Sequence, residues 1–226
     1  MLKFAGFNLS FPVWLTGGGG KTSLMYFLAK ELKGPLLLTT TTKLAYPPRE
    51  EIPFYLGQNL EQLLPVLAKE KKILAGKRVE KGKIIGFLPE EVALFYQRNR
   101  IPAIVEADGS DRRPLKIHLD YEPALPVNPE SVIGVVGLSA LNKPYSSEYI
   151  HRAQDLPHRL ITAKVIAELV VGGKYFPPST PNKVVFLNQV DVVNKPLLEE
   201  VIGVFKAISN LKVTYGSLKE GYILPG

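Results

Sequence analysis

A run of four glycines followed by lysine and threonine stands between an apolar and an amphipathic segment. The run consists of Gly17, Gly18, Gly19, Gly20, Lys21, Thr22 and Ser23. Such a turn holds a polyphosphate, because glycine lets backbone N–H groups curl around phosphates and the following helix adds the partial positive charge of its N-terminus. We expect Lys21 to reach the outer phosphates and the Thr22 hydroxyl to bind Mg²⁺. The run therefore predicts a nucleotide-phosphate site.

This loop matches a shortened form of the P-loop pattern. The full pattern, G-x-x-x-x-G-K-[ST], requires a glycine where this chain has Leu15, so the shorter G-x-x-G-K-T starting at Gly17 remains. The dinucleotide fingerprint G-x-G-x-x-G does not fit, since it requires a glycine at Thr22 and has no place for a lysine. A plain glycine linker would not place Lys-Thr at the start of a helix, which favours phosphate binding.

Two acidic residues follow a later apolar segment. Glu106 and Asp108 come at the end of a predicted strand, and Gly109 follows them. Because the carboxyl ends of parallel strands meet at one sheet edge, we expect both carboxylates beside the glycine loop, where they hold Mg²⁺ directly or through water. Arg112 is the candidate for stabilising charge on a transferred phosphoryl group. A solvated acidic turn and an exposed basic turn are the alternatives.

Four threonines, residues 39–42, end another predicted strand. Thr41 is a further candidate metal ligand, because its hydroxyl would lie at the same sheet edge as the carboxylates. Threonine is also a good strand former, so a β-run without a chemical role is the alternative.

Two segments nearer the C-terminus indicate which base the site takes. Asn188 and Asp191 stand in N-Q-V-D, which resembles the N-K-x-D element by which guanine-nucleotide proteins recognise their base. Ser217 stands in Y-G-S-L-K-E-G, which resembles the turn that covers guanine from the other side. Gln189 occupies the position where a lysine usually packs on the base. GTP is therefore favoured, and ATP and CTP stay open.

The alternation of apolar and amphipathic segments predicts the elements that position these residues. It is typical of an α/β fold like that of P-loop NTPases, with a largely parallel sheet and helices on both faces. Strands are predicted over 11–15, 36–39, 103–106, 132–136, 184–187 and 212–214. Helices are predicted over 23–32, 60–69, 89–99, 161–171 and 196–208. A hairpin within 73–87 forms a small insertion over about 70–88, and all 226 residues fit a single nucleotide-binding domain.

Composition narrows the function classes. The chain has no cysteine, which excludes disulfides and thiolate metal sites, and His118, His151 and His158 lack metal-ligand spacing. The 28 basic and 21 acidic side chains give a net charge of +7. Such a charge is compatible with a phosphate-bearing partner, and equally with surface lysines that only keep the protein in solution. Aromatic and basic residues are not interleaved as nucleic-acid recognition requires. No apolar run reaches the ~18–20 residues of a membrane helix, and no secretory signal begins the chain, so we expect a cytoplasmic location.

The glycine loop, the threonine run and residues 106–110, 114–116, 151–152 and 187–191 together resemble the YqeC family over nearly the whole chain. That family is described as accessory proteins of selenium-dependent molybdenum hydroxylases. The resemblance implies a P-loop NTPase of the kind that includes metallochaperone GTPases, with Mg²⁺ and GTP or ATP bound. It also implies a molybdenum hydroxylase or a cofactor-maturation protein as partner.

Three functions stay open from the sequence, all with a nucleoside triphosphate as ligand. The first is a Mg²⁺-dependent, GTPase-like accessory protein that hydrolyses its nucleotide slowly. The second is a small-molecule or cofactor kinase or nucleotidyltransferase, which would need an acceptor pocket beside the same loop. The third is a nucleotide-binding switch without enzymatic activity. A homodimer is compatible with each of them.

Overall fold

A nine-stranded sheet forms the centre of the computed structural model, which describes residues 1–46 and 50–226. Its strands, in chain order, are β1 (Val13–Gly17), β2 (Leu36–Thr40), β3 (Phe54–Leu56), β4 (Lys72–Gly76), β5 (Ala103–Glu106), β6 (Ser131–Gly137), β7 (Asn182–Asn188), β8 (Lys212–Ser217) and β9 (Tyr222–Pro225). They lie in the order β9-β8-β7-β6-β1-β5-β2-β4-β3. Neighbouring strands are parallel except β8 and β9. The strand that leads into the glycine loop therefore lies centrally, next to the strand that ends in Glu106.

Helices cover both faces of this sheet, as the sequence predicts. They are α1 (Lys21–Glu31), α2 (Leu64–Glu70), α3 (Pro89–Asn99), α4 (Ala163–Val171) and α5 (Lys195–Ile208). Side chains alternate across a strand, so Val13 and Leu15 of β1 pack with α1, whereas Trp14 packs on the opposite face with α3. Helices α4 and α5 pack on that second face over β6, β7 and β8. The α/β fold class is thus confirmed.

The region predicted as a hairpin insertion contains a strand of the main sheet. Lys72–Gly76 pairs in parallel with β2, and its residues are largely buried. The hairpin begins later, where Arg78–Glu80 pairs with Lys83–Ile85, and Lys43–Ala45 completes a small three-stranded sheet. An insertion that began at residue 70 would therefore include a buried strand of the main sheet. The sequence does not separate the two, because an apolar run between glycines is equally typical of a hairpin and of a buried strand.

Several short elements add to this frame. Leu2–Phe4 pairs with Phe7–Leu9 on the α1 face, and Leu115–Lys116 pairs in parallel with Ile150–His151. Strand β8 continues to Ser217 instead of ending at residue 214, which brings the following turn to the carboxyl edge of the sheet. Within the described ranges, the helices are too short or too polar to cross a membrane.

Candidate functional site

A cleft of about 940 Å³ lies at the carboxyl edge of the central strands. The segments that follow β1, β5, β6, β7 and β8 all contribute to its lining. This is the edge at which parallel α/β sheets bind their ligands, because the strand ends there deliver loops from several elements to one crevice.

The glycine loop is shaped by close contacts as well as by backbone conformation. Gly17, Gly19 and Gly20 have φ values of +91°, +76° and +124°, which disfavour residues with a side chain. A Cβ on Gly17 would lie 2.4 Å from Cε1 of Tyr175, and one on Gly19 would lie 2.3 Å from the backbone nitrogen of Gly137. The loop is therefore packed tightly against its neighbours.

Three N–H groups of this loop donate to acceptors within the protein. Gly17 N donates to Asp108 Oδ2 at 2.8 Å, Gly18 N to a β6 carbonyl at 3.0 Å, and Gly19 N to a carbonyl of the 110–114 turn at 2.9 Å. Helix α1 begins directly after Gly20, and its first helical hydrogen bond is from Leu24 N to Gly20 O. With Gly17–Gly19 engaged in this way, the backbone groups that could meet an anion here lie at the start of α1, where Lys21 and Thr22 open the first turn.

Lys21, Thr22, Glu106 and Asp108 are brought together at this helix N-terminus. The buried Lys21 Nζ lies 2.9 Å from Asp108 Oδ1 and 3.9 Å from Glu106 Oε1, and it donates to Gly17 O at 2.5 Å. The Thr22 hydroxyl donates to Glu106 Oε2 at 2.7 Å. Glu106 lines the cleft, whereas Asp108 is fully buried beneath the loop and is not part of the lining.

The two carboxylates differ in their electrostatics. Burial raises the pKa of Glu106, and the Lys21 charge and the Thr22 hydrogen bond offset only part of that rise. Burial also opposes ionisation of Asp108, but Lys21 and the His118 hydrogen bond outweigh it and hold the pKa of Asp108 well below its usual range. Asp108 is therefore held as an anion inside the protein, whereas burial makes ionisation of Glu106 less favourable than it is in water.

His118 has a place in this site that sequence reasoning missed. Its side chain is buried, and Nε2 lies 2.5 Å from Asp108 Oδ2. The ring meets Tyr175 edge-on, with centroids 4.8 Å apart. The sequence contains one indication that His118 faces the site. Lys116 and His118 are two residues apart in the segment after Asp108, and alternate residues of an extended segment lie on the same side.

Lys116 holds the turn that follows Asp108. Its fully buried Nζ donates to Gly109 O at 2.5 Å and lies 3.0 Å from Glu122 Oε1. Burial lowers the pKa of Lys116, and the charges of Asp108 and Glu122 oppose that shift only in part. Arg152 pairs with the other oxygen of Glu122, so a chain of charges runs from the turn to the surface.

Of the remaining predicted phosphate-side residues, Ser23 and the exposed Arg112 line the cleft. Thr41 lies beside Glu106, since its N–H donates to Glu106 O at 3.0 Å, but its hydroxyl donates to Ala124 O at 2.7 Å and the residue is not part of the lining. The Thr41 hydroxyl is therefore engaged by Ala124 and is not directed to the Thr22–Glu106 pair.

The predicted base-binding residues lie in the segments after β7 and β8, and Asn188 contacts the glycine loop directly. Asn188 and Asp191 line it, with Asp191 exposed in the short 3₁₀-helix Val190–Val192. Ser217 is buried and does not line the cleft; its Oγ accepts from Glu220 N at 3.1 Å and so shapes the turn. The neighbouring Leu218 reaches the cleft instead.

The side chains that could bind a metal ion at this site are oxygen ligands. Within residues 1–46 and 50–226, no group of three His, Cys, Asp or Glu side chains is arranged to hold an ion. The Thr22 hydroxyl and the Glu106 carboxylate fit Mg²⁺, a hard ion that is bound by one or two protein oxygens together with water and phosphate oxygens.

Comparison with known proteins shows the family. The model of the family described as YqeC protein matches residues 13–154. "Uncharacterized protein YqeC" of Escherichia coli (strain K12) is 34% identical over 144 residues, which cover 61% of this chain and 56% of that protein. The chain thus spans little more than half the length of this relative, and it belongs to the YqeC family. The family match includes the glycine loop and His118, and it ends before Asn188.

Proposed function

We propose that this YqeC-family protein binds a nucleoside triphosphate with Mg²⁺ in the cleft and hydrolyses it slowly. The observation that carries the proposal is the 2.7 Å contact between the Thr22 hydroxyl and the Glu106 carboxylate, beside Lys21 in the first turn of α1. An ammonium group, a hydroxyl and a carboxylate at a helix N-terminus are the groups that a magnesium polyphosphate requires.

Each side chain has a distinct role in this proposal. Lys21 moves from Asp108 to the outer phosphates and neutralises their charge. Thr22 and Glu106 hold Mg²⁺, which when bound draws charge from the phosphate oxygens. Arg112, exposed at the cleft wall, stabilises the charge that develops on the transferred phosphoryl group.

Guanine is the base that we propose for the part of the cleft that Asp191 lines. Asn188 orients the base-side turn, since its Oδ1 accepts from Leu218 N at 3.1 Å. Asp191 lines the cleft and is exposed, so its carboxylate can accept from the guanine N1–H and exocyclic amine. ATP is the competing ligand, because Gln189 stands in place of the lysine of the guanine motif and its Oε1 accepts from Ser139 N at 3.3 Å.

An accessory function in the maturation of a selenium-dependent molybdenum hydroxylase is proposed on the family resemblance. Loops that sense a γ-phosphate change conformation on hydrolysis, and such a switch suits a protein that acts transiently on a client enzyme. Faster GTP hydrolysis in the presence of the hydroxylase or a cofactor-maturation protein would support this function. Hydrolysis that no such protein changes would count against it.

Nucleotide titrations of a lysine variant test the phosphate site. Affinities for GTP, ATP and CTP are measured with and without Mg²⁺, together with phosphate release, in the wild type, Lys21→Ala and Lys33→Ala. Lys33 is exposed just beyond the end of α1 and serves as the matched control. We expect Lys21→Ala to weaken Mg²⁺-nucleotide binding by about tenfold or more and Lys33→Ala to leave it unchanged. Equal affinities in all three proteins would refute the proposal.

Group transfer to an acidic small molecule is the second candidate, because the cleft continues along α1 beyond the phosphate region. Lys30, Leu44 and Lys83 line that extension, and the two lysines are exposed and without an ion-pair partner in the described parts of the chain. Turnover that requires an added acceptor would favour this function. In that case Lys83→Ala should raise the acceptor KM, whereas Lys81→Ala, a control in the same hairpin, should not.

A further inference from the structure

We propose that His118 is the positioning residue of the phosphate loop and acts through Asp108. The expected effects on nucleotide binding rest on the proposed function, whereas the contacts of His118 do not depend on it. His118 itself does not line the nucleotide cleft. Its Nε2 lies 2.5 Å from Asp108 Oδ2, and this carboxylate is the group that contacts both the loop backbone and Lys21.

The two oxygens of Asp108 are divided among three neighbours. Oδ2 accepts from Gly17 N at 2.8 Å and meets His118, while Oδ1 lies 2.9 Å from Lys21 Nζ. His118 therefore fixes the carboxylate plane so that one oxygen holds the start of the loop and the other holds the lysine. Without His118, Oδ2 keeps a single backbone donor, and the carboxylate is free to turn toward Lys21 and retain it.

The ring of His118 packs against Tyr175. Tyr175 meets it edge-on at 4.8 Å, and the Thr16 hydroxyl donates to Tyr175 O at 3.0 Å. The Tyr175 ring occupies the space that a Cβ of Gly17 would need. His118 and Tyr175 thus pack beneath the glycine loop, and the Thr16 hydrogen bond joins Tyr175 to β1.

Two measurements on the full chain test this role. The first is hydrogen exchange of the Gly17 amide, which needs no nucleotide. The second is the Kd of Mg²⁺–GTP and Mg²⁺–ATP, with kcat and KM for hydrolysis. The variants are His118→Leu, which removes the donor, and His118→Gln, whose amide nitrogen can take the place of Nε2. His158→Leu, at an exposed histidine, is the control.

We expect His118→Leu to speed Gly17 exchange and to raise the nucleotide Kd, each by about tenfold, since a hydrogen bond to a charged group is lost. His118→Gln should recover most of both losses, and His158→Leu should match the wild type. If His118→Leu does not fold, His118→Gln is compared with His118→Asn, whose shorter side chain cannot reach Asp108. Recovery of both readouts in the glutamine variant alone supports the proposal, and equal behaviour of the two contradicts it.

A double-mutant cycle with Asp108→Asn decides whether His118 acts through Asp108. In that background His118→Leu should change Gly17 exchange and Kd by less than about twofold, because the charged acceptor is gone. Wild-type exchange and affinity in a folded His118→Leu protein, or an undiminished effect in the Asp108→Asn background, overturn the proposal. A wild type that binds no Mg²⁺-nucleotide, with Gly17 exchange that still responds to His118, overturns the proposed function and leaves the positioning role intact.

Discussion

Asn188 donates from Nδ2 to the carbonyl oxygen of Gly19 at 2.7 Å and so joins two segments of the cleft that are 169 residues apart in sequence. Its Oδ1 accepts from Leu218 N at 3.1 Å. One buried amide thus connects the phosphate loop to the turn after β8. The position of the loop and the position of the base-side wall are coupled through this side chain.

Asn188→Ala should lower the free energy of unfolding by about 1–3 kcal/mol, because it removes the partners of the Gly19 carbonyl and the Leu218 N–H. Affinity for Mg²⁺–GTP should fall as well, since the loop and the turn lose their connection. Urea unfolding and nucleotide titration measure the two effects. Asn182→Ala is the control at the other end of β7, where the side chain donates to Glu130 O at 3.1 Å. An equal loss of affinity in both variants would contradict the coupling.

Gly17→Ala should destabilise the protein because the new Cβ has no room. It would lie 2.4 Å from both Tyr175 Cε1 and Val135 O, at a φ of +91°. We expect a loss of about 2–4 kcal/mol in the free energy of unfolding, the sum of overpacking and a left-handed backbone. Gly6 has a similar φ of +86°, but nothing lies within 4 Å of a Cβ added there. Gly6→Ala should therefore lower the free energy of unfolding by only about 1 kcal/mol. Similar losses would show that backbone conformation alone explains the glycine.

The sequence predicted the part of this molecule that depends on local pattern. Alternating apolar and amphipathic segments gave the parallel sheet and helices on both faces, because burial on a sheet selects for that periodicity. Because strand ends share one edge, Lys21, Thr22 and Glu106 are expected to lie together, and in the structure Lys21 and Thr22 both come within 4 Å of the Glu106 carboxylate. The fold and the centre of the site therefore follow from pattern and topology.

What the sequence did not show are contacts between distant segments. Tyr175 lies 159 residues after Thr16, and no local pattern indicates that its ring fills the space beside Gly17. Metal-ligand spacing does not reveal the role of His118, because its partner is a carboxylate ten residues earlier. Strand position predicts Thr41 at the site, but its hydroxyl donates to the carbonyl oxygen of Ala124 in a loop.

Glu106→Gln should reduce hydrolysis more than nucleotide binding. Glutamine keeps the size of the side chain but loses the charge that holds the metal and its water, an interaction that matters most in the transition state. We expect kcat to fall by about a hundredfold and Kd for Mg²⁺-nucleotide to rise by less than about tenfold. Phosphate release and equilibrium titration separate the two. Exposed Glu90→Gln should leave both unchanged, and wild-type turnover in Glu106→Gln would assign Glu106 to the fold alone.

Asp108 should make the free energy of unfolding depend on pH in the acidic range. Burial opposes its ionisation, but Lys21 and His118 lower its folded-state pKa below the ordinary value of 3.8, so the unfolded chain binds more protons as the pH falls. This stabilisation is fully present above the unfolded-state pKa and is lost as the pH falls toward the folded-state pKa. The difference in unfolding free energy between wild type and Asp108→Asn should therefore shrink below about pH 4. Urea unfolding over a pH series measures it, and a pH-independent difference would contradict this assignment.

Asp191→Asn tests the base. If Asp191 accepts two hydrogen bonds from guanine, the substituted amide can instead donate to the additional carbonyl of xanthine, and preference should move from GTP to xanthosine triphosphate. A site built on such hydrogen bonds discriminates strongly, because the wrong base leaves polar groups unpaired. We expect the ratio of the two affinities to change by at least about a hundredfold, measured by competition titration with Mg²⁺ present. Binding of ATP by the wild type at least as tight as that of GTP would exclude guanine recognition by Asp191. The phosphate site would stand in that case, because Lys21, Thr22 and Glu106 are proposed to meet phosphate and Mg²⁺ rather than the base.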